Sequence, residues 1–370
     1  MRKIPLIRPY ITDAVKKAVL DVLDSGYLTE GPVTKKLEAA VAAYTKTPYA
    51  IAVTSCTTGL ELALRALEIG PGHEVILPDY TYPATADVVA IVGATPVLVD
   101  VDPKTMLMSQ EATQAAMTPK TRALMPVSIF GNPLDYSWIN ALKDRHNLYV
   151  VEDTACSLGA SLNGNMVGGQ ADISVFSLHP RKFITTGEGG MITTSNPAWA
   201  AWMDSYKHFG MEALGAEREK THFARIGTNY KLSNVLAAIG LAQMEDIDAL
   251  LAERRAQAVR YARLLAGESR ISLPVTTPGG DHSWQTFCVF VNERDRIMST
   301  LRAEGVEVQI GTYAIHAHPA FAGCRRVNAK GGDVLAGSLE AYAKALALPL
   351  YHELTEDDQA YVVERLKAVL

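Results

Sequence analysis

The chain opens with two stretches of helical period. Residues 9–25 place Ile11, Val15, Ala18, Val19 and Val22 on one face and stop at Gly26. After the loop Gly26-Tyr27-Leu28-Thr29-Glu30-Gly31-Pro32, residues 33–45 carry a second apolar stripe of Leu37, Val41 and Tyr44. An alternation then begins, with strands expected at 49–54, 74–78, 96–101, 122–129 and 148–152. Helices are expected between them at 58–67, 84–92, 109–116 and 134–146. Each strand reads as a continuous apolar run, the mark of strands covered on both faces. The pattern therefore predicts a parallel sheet between layers of helices. Short strands at 173–178 and 190–194 close this half.

Beyond Ser195 the pattern changes. Residues 198–206 read as helix, and the polar run 211–222 as a mobile surface loop. Helices follow at 232–244 and 248–265. The remainder reads as α+β: a strand at 285–291, a helix at 295–304, a strand at 306–310, a loop containing histidines, and helices at 334–345 and 355–369. The expected organisation is α/β, with a large domain over 1–246 and a smaller α+β domain over 247–370. A chain of 370 residues supports two cores.

The formal charge of −5 leaves no basic excess to neutralise phosphates, which argues against a nucleic-acid or anionic-membrane partner. The longest apolar stretch, 88–99, is broken by Gly93 and Pro96 and is too short to span a bilayer. The N-terminus lacks the apolar core of a signal peptide. Cys56, Cys156, Cys288 and Cys324 are scattered, so neither a disulfide framework nor a metal site is expected, and a reduced cytoplasmic compartment is.

Ligands of open α/β sheets bind beyond the carboxyl ends of the strands, and four such ends carry chemistry. Ser55-Cys56-Thr57-Thr58-Gly59 puts hydroxyls and a helix start together, an anion cradle or a plain N-cap. Pro78-Asp79-Tyr80-Thr81-Tyr82-Pro83 offers aromatic faces that either stack on a flat ligand or pack in the core. Val150-Val151-Glu152-Asp153 ends an apolar run in carboxylates, which need partners if buried. Ser177-Leu178-His179-Pro180-Arg181-Lys182 is followed by Thr186-Gly187-Glu188-Gly189-Gly190, which holds a lysine between a strand end and a glycine-rich turn. A phosphate cradle, a stacking face, a buried acid and a Schiff-base amine are together what pyridoxal phosphate requires.

Further stretches join these: Ser25-Gly26-Tyr27-Leu28-Thr29-Glu30-Gly31-Pro32, Gly70-Pro71-Gly72-His73-Glu74-Val75-Ile76, Pro96-Val97-Leu98-Val99-Asp100-Val101-Asp102, Gly227-Thr228-Asn229-Tyr230-Lys231-Leu232 and Leu348-Pro349-Leu350-Tyr351. With them the sequence resembles the DegT/DnrJ/EryC1/StrS family of sugar aminotransferases, nearly end to end. The resemblance implies the aspartate-aminotransferase fold type, pyridoxal 5'-phosphate with pyridoxamine phosphate as its alternate form, and a homodimer with shared sites. It implies a keto-sugar acceptor, most simply nucleotide-linked, and glutamate as amine donor. Lys182 is similar to the family's cofactor-bonding lysine and Asp153 to the partner of the ring nitrogen. Tyr82 matches the stacking aromatic, and Thr57, Thr58 and Ser177 match phosphate contacts. Asn229 matches an asparagine reaching the phosphate from the other subunit, and His316 a substrate-side histidine. Cys156 stands where the family usually has Gln, His or Glu near the ring hydroxyl. Tyr206-Lys207-His208-Phe209-Gly210 replaces the usual Arg-Asn-His-Gly, Lys231 replaces an arginine, and Asp79 and Pro83 are unusual in their loop. A lysine at 182 speaks against the dehydratase branch, which has histidine there; a cyclitol aminotransferase or a non-catalytic cofactor-binding regulator stays open.

Overall fold

The computed structural model describes residues 2–212 and 218–370. Its main sheet has eight strands: β1 (Tyr49–Val53), β2 (Glu74–Pro78), β3 (Thr95–Val99), β4 (Thr121–Leu124), β5 (Tyr149–Asp153), β6 (Ile173–Ser177), β7 (Gly190–Thr194) and β8 (Arg325–Val327). Their order is β1-β7-β6-β5-β4-β2-β3-β8. β7 runs against both of its neighbours, from Tyr49↔Thr194 to Val53↔Gly190 on one side and from Gly190↔Ser177 to Thr194↔Ile173 on the other. Every other pairing is parallel, so the sheet is mixed and mainly parallel.

The apolar runs hide a period of two. Val75 and Leu77 of β2 and Val151 of β5 join one core with Leu60, Leu64, Val175 and Ile192. Ile76 and Val150 point to the opposite core, with Val97, Val99, Leu124 and Phe290. Both faces are covered, which is why no polar alternation is visible along the strands.

Helices α1 (Asp13–Ser25) and α2 (Pro32–Thr45) precede the sheet, and α3 (Cys56–Ala66) leaves the end of β1. Expected from position 58, α3 starts at Cys56 because Ser55 caps it. The Ser55 hydroxyl accepts the Thr58 N–H at 3.1 Å, and the Thr58 hydroxyl accepts the Ser55 N–H at 3.1 Å. This first turn lies against the start of β7. A Cβ on Gly190 would stand 2.5 Å from the Ser55 carbonyl carbon and 2.6 Å from the Cys56 nitrogen, so only glycine permits the approach.

A four-stranded sheet, ordered Ile271–Ser272, Phe287–Val291, Ala345–Leu348 and Gln309–Ile310, packs around Tyr261, Phe287, Val289, Leu301 and Val362. Several pieces of chain cross position 247. Ile4 bridges to Val306, residues 280–281 pair with 161–162, residues 313–314 pair with 80–81, and β8 completes the large sheet.

Some expectations change. The strand expected at 122–129 ends at Leu124, and Pro126, which has no N–H to donate, follows. The strand expected at 306–310 is confined to Gln309–Ile310, because Val306 turns to Ile4. The helix expected at 334–345 is Ala336–Lys344, and strand follows it at once. The surface loop expected at 211–222 is a short ladder at its described ends, Met211↔Phe223 and Glu212↔His222, while residues 213–217 lie outside the described residues.

The departure at Lys207 has a structural partner set. Fully buried, its ammonium lies 2.9 Å from Glu30, 3.2 Å from Glu38 and 3.1 Å from Asp204, and donates to the Ala52 carbonyl at 3.1 Å. Burial pulls its pKa down, but the three carboxylates raise it by more, so it stays charged. This centre ties the 26–31 loop, α2, the helix Pro197–Lys207 and β1 together. Among the described residues, no helix is long and apolar enough to cross a membrane.

Candidate active site

A cavity of about 580 Å³ opens at the carboxyl ends of β1, β5 and β6. Thr57, Tyr82, Asp153, Cys156, Ser177 and Lys182 all line it. The strand ends bring them together from positions far apart in sequence.

Asp153 is the last residue of β5, and the strand's pleat sends it and its neighbour to opposite sides. Glu152 goes into the core away from the cavity. There it accepts the Tyr136 hydroxyl at 2.5 Å and the Ser128 hydroxyl at 2.8 Å. Burial lifts its pKa to about 7 although these donors hold it down. Asp153 faces the cavity instead. It takes the Thr85 hydroxyl on Oδ2 at 2.8 Å and the Ala155 N–H on Oδ1 at 3.0 Å. Burial raises its pKa, while Thr85, Ala155 and the charge of Lys182 counter the rise in part. It is a buried acid with hydrogen-bonding capacity left over, suited to a cationic N–H on a ligand.

Lys182 sits in the closed loop between β6 and β7. The Leu178 N–H donates to Gly189 at 2.9 Å, the Thr186 N–H to Leu178 at 3.0 Å and the Lys182 N–H to His179 at 2.8 Å. The Thr185 N–H donates to Gln243 Oε1 at 2.8 Å, and Gly187 turns the chain with φ 89°. The lysine Nζ reaches Cys156 Sγ at 3.1 Å. Burial lowers the pKa of Lys182, but Cys156, Cys56 and Asp153 together outweigh burial, and the net direction is up.

The anion cradle divides its labour. The amides of Cys56 and Thr57, first in α3, have no acceptor within the helix, and Thr57 and Ser177 stand beside them in the cavity lining. The Thr58 hydroxyl is engaged with Ser55 and, at 3.1 Å, with Thr54, so its work is the cap, and it does not line the cavity. The two tyrosines also divide. Tyr80 is buried and its hydroxyl accepts the Thr312 N–H at 3.2 Å, whereas Tyr82 is 64% exposed at the cavity wall.

Two sequence candidates lie elsewhere. Asn229 is exposed, outside the cavity lining, and accepts the Lys231 ammonium at 2.6 Å. His316 pairs through Nδ1 with Asp79 at 2.6 Å and donates its N–H to the other Asp79 oxygen at 2.9 Å, also outside the lining. The unusual Asp79 thus has a dedicated partner. Burial raises its pKa and the His316 bonds counter it. Sequence reasoning assigned no role to Thr85, Arg181 or Gln285. Thr85 had a usable signal, a hydroxyl in the first turn of the helix Ala84–Ile91 just beyond a strand end, and it meets the Thr81 hydroxyl at 3.0 Å.

These residues suit pyridoxal phosphate. A cluster of hydroxyls and helix amides could hold the phosphate, Tyr82 could offer a face to the ring, Asp153 a carboxylate to the ring nitrogen, and Lys182 the amine. Cys156 Sγ lies beside that amine in the cavity lining.

A sheet with one reversed strand and a lysine loop beyond it, facing a buried aspartate, defines a pyridoxal-phosphate enzyme of the aminotransferase class. The chain belongs to the DegT/DnrJ/EryC1/StrS aminotransferase family, whose model matches residues 9–367. Spr1654 of Streptococcus pneumoniae, described as a sugar aminotransferase, is similar in its apo form with a TM-score of 0.92 at 29% identity, over 100% of this chain and 98% of that one. Its pyridoxal-phosphate form superposes with a TM-score of 0.91 at 29% identity over the same shares. DesV of S. venezuelae, solved in complex with a ketimine intermediate, gives 0.89 at 32% identity over 100% of this chain and 98% of that one.

Proposed function

We propose that the protein transfers an amino group from glutamate to a keto-sugar carried on a nucleotide. The observation that carries this reading is the placement of Lys182 and Asp153 in one cavity. When bound, pyridoxal phosphate supplies an electron sink and carries the amino group from donor to acceptor. Asp153 holds a proton on the ring nitrogen, and Thr57, Ser177 and the α3 amides anchor the phosphate. Lys182 would bond the cofactor and, once free, would serve as the general acid and base that moves a proton between the reacting carbons. Arg181, exposed at the cavity wall with its guanidinium resting on Gln309 Oε1 at 3.3 Å, offers a cation to a diphosphate. The likeness to Spr1654, described as a sugar aminotransferase, supports a sugar as acceptor.

The test is a panel of nucleotide keto-sugars incubated with glutamate and the loaded protein, read by mass spectrometry. One member should gain an amino group in place of its carbonyl oxygen while glutamate becomes its keto acid. Amination of a free cyclitol ketone instead would favour the cyclitol reading. A cofactor absorbance that glutamate leaves untouched would favour a binder over an enzyme.

The same reading takes the active unit to be a homodimer in a reducing, cytoplasmic setting that suits the four free thiols. Asn229 is exposed, and apolar side chains are exposed around it: Phe209, Phe223 and Ile226, the last 94% exposed, with Tyr27 and Leu28 on the 26–31 loop. His208 bridges to Asn229, Met211 of the same turn pairs with Phe223, and Asn234 Nδ2 donates to the Tyr27 carbonyl at 2.9 Å, so these groups share one face. A second copy seated there would receive Asn229 at its phosphate. Mixing inactive Lys182→Ala with a severely impaired Asn229 variant should therefore restore some activity, because one site of a mixed dimer inherits both lesions and the other neither. Subunit exchange without recovery would show that each site is built within one chain.

A further inference from the structure

Lys182 is bracketed by a single carboxamide. Gln285 accepts the N–H of Phe183 on Oε1 at 3.2 Å and donates from Nε2 to the carbonyl of Arg181 at 2.7 Å. The two peptide groups that flank Lys182 are thus held by the two ends of one planar amide. Gln285 is itself only 6% exposed and lines the cavity. Its own backbone is fixed in turn. Arg254, on the helix Ile247–Leu265, donates to the carbonyls of Trp284 at 3.1 Å, Gln285 at 3.0 Å and Leu350 at 3.3 Å. The same guanidinium lies over the Phe183 ring at 5.4 Å. Trp284 takes a left-handed backbone, φ 51°, immediately before Gln285, a conformation that a bulky residue adopts only where its surroundings enforce it.

We propose that Gln285 is a positioning residue for Lys182, setting the direction from which the amine enters the cavity; this rests on the reading of Lys182 as the reactive lysine. A lysine reaches its target along a flexible stem, so its aim depends on how firmly its Cα–Cβ bond is held. That bond is fixed by the two peptide planes on either side, and Gln285 holds both. A misplacement of about 1 Å at a reacting group costs on the order of 10²-fold in rate. The donor and the acceptor are both needed, so Gln285→Glu keeps the bond from Phe183 and loses the one to Arg181.

The rival account is that Gln285 only satisfies two polar groups of a buried loop. Three measurements on the full-length protein separate the two. Hydrogen exchange at the Phe183 amide, read before cofactor is added, should be faster in Gln285→Ala and close to the original in Gln285→Glu. Unchanged exchange in Gln285→Ala overturns the clamp. With cofactor bound and melting curves matched, Gln285→Ala should lower kcat roughly 10–100-fold with little change in KM, and Gln285→Glu should fall between it and the original. Unchanged kcat overturns the positioning role. A double-mutant cycle then compares Gln285→Ala in the original protein and in Lys182→Ala supplied with methylamine. The loss should vanish in the second background, because the group being aimed is gone. An equal loss in both backgrounds overturns the proposal. Should methylamine restore nothing, the labelling rate of Lys182 by an amine reagent in the cofactor-free protein replaces the cycle; it should change in Gln285→Ala, and an unchanged rate overturns the proposal. If Lys182→Ala proves fully active without added amine, the reading of Lys182 fails while the exchange result still stands for the clamp.

Discussion

Lys182→Ala is expected to leave a folded protein that binds pyridoxal phosphate and does not transaminate. The substitution removes the covalent link and the group that moves the proton. General acid–base catalysis alone is worth roughly 10²–10⁴-fold, so turnover should fall below detection in an ordinary assay. The fold should survive, because the loop at 178–189 is held by main-chain bonds and by Thr185, Gln243 and Gln285 rather than by the Lys182 ammonium. The cofactor should still bind through the cradle at α3 and through Asp153. Borohydride reduction of the loaded protein, followed by peptide mapping, should place the label on Lys182. A label on Lys207 would contradict the structure, since that ammonium is enclosed by Glu30, Glu38 and Asp204 and does not line the cavity.

Asp153→Asn should separate stability from activity with opposite signs. Asparagine has nearly the same shape and still offers an oxygen to Thr85 or to Ala155, but it cannot balance a proton on the ring nitrogen. Losing a charged hydrogen bond of roughly 2–3 kcal/mol corresponds to a rate loss of roughly 30–150-fold at constant geometry. Stability of the cofactor-free protein should move the other way. Burial raises the pKa of Asp153 in the folded state, so the folded state holds this proton more tightly than the unfolded chain does. The contribution is then fully present below the ordinary carboxylate pKa and is lost as pH rises through the raised value. At neutral pH the buried carboxylate is a cost, and Asp153→Asn should melt higher there, the gap closing as pH falls into the carboxylate range. Melting curves from pH 4 to 8 with activity at neutral pH test both signs. An active Asp153→Asn enzyme would remove the residue from the mechanism.

Much of this was legible because buried strands and catalytic groups leave direct marks. The apolar runs of β2 and β5 identify strands covered on both faces, and the Ser55-Cys56-Thr57-Thr58 stretch identifies a helix start. A lysine set between Pro180 and a glycine-rich turn reads alone as a loop lysine or a reactive amine, and becomes a candidate when taken with the other strand ends. What stayed hidden depends on partners remote in sequence. Gly190–Thr194 looks like any short strand, and its reversed direction is set by pairing with β1 and β6. Arg325–Val327 carries two arginines in three residues and is a strand only because β3 has a free edge. Ala345–Leu348 follows helix-forming residues without a break and becomes a strand between two others. Thr58 matched a phosphate contact by resemblance, while the residues alone left open a cap, and the cap is where its hydroxyl is engaged. Gln285 has no local signature, because a carboxamide becomes a clamp only when the chain returns to Lys182 from a hundred residues away.

The sheet's strand order also governs how the protein is made. β1 is among the first strands to leave the ribosome, but its one partner in the sheet, β7, emerges only after the five strands between them. At the other flank, β3 keeps an open edge of Pro96, Val97, Leu98 and Val99 until Arg325–Val327 arrives near the end of synthesis. A nascent chain of this topology therefore exposes the edge of β1 until β7 emerges and the edge of β3 until β8 does, the kind of surface on which neighbouring chains associate. The last hundred residues thus do more than build the four-stranded sheet: β8 is the strand that covers the open edge of the large one.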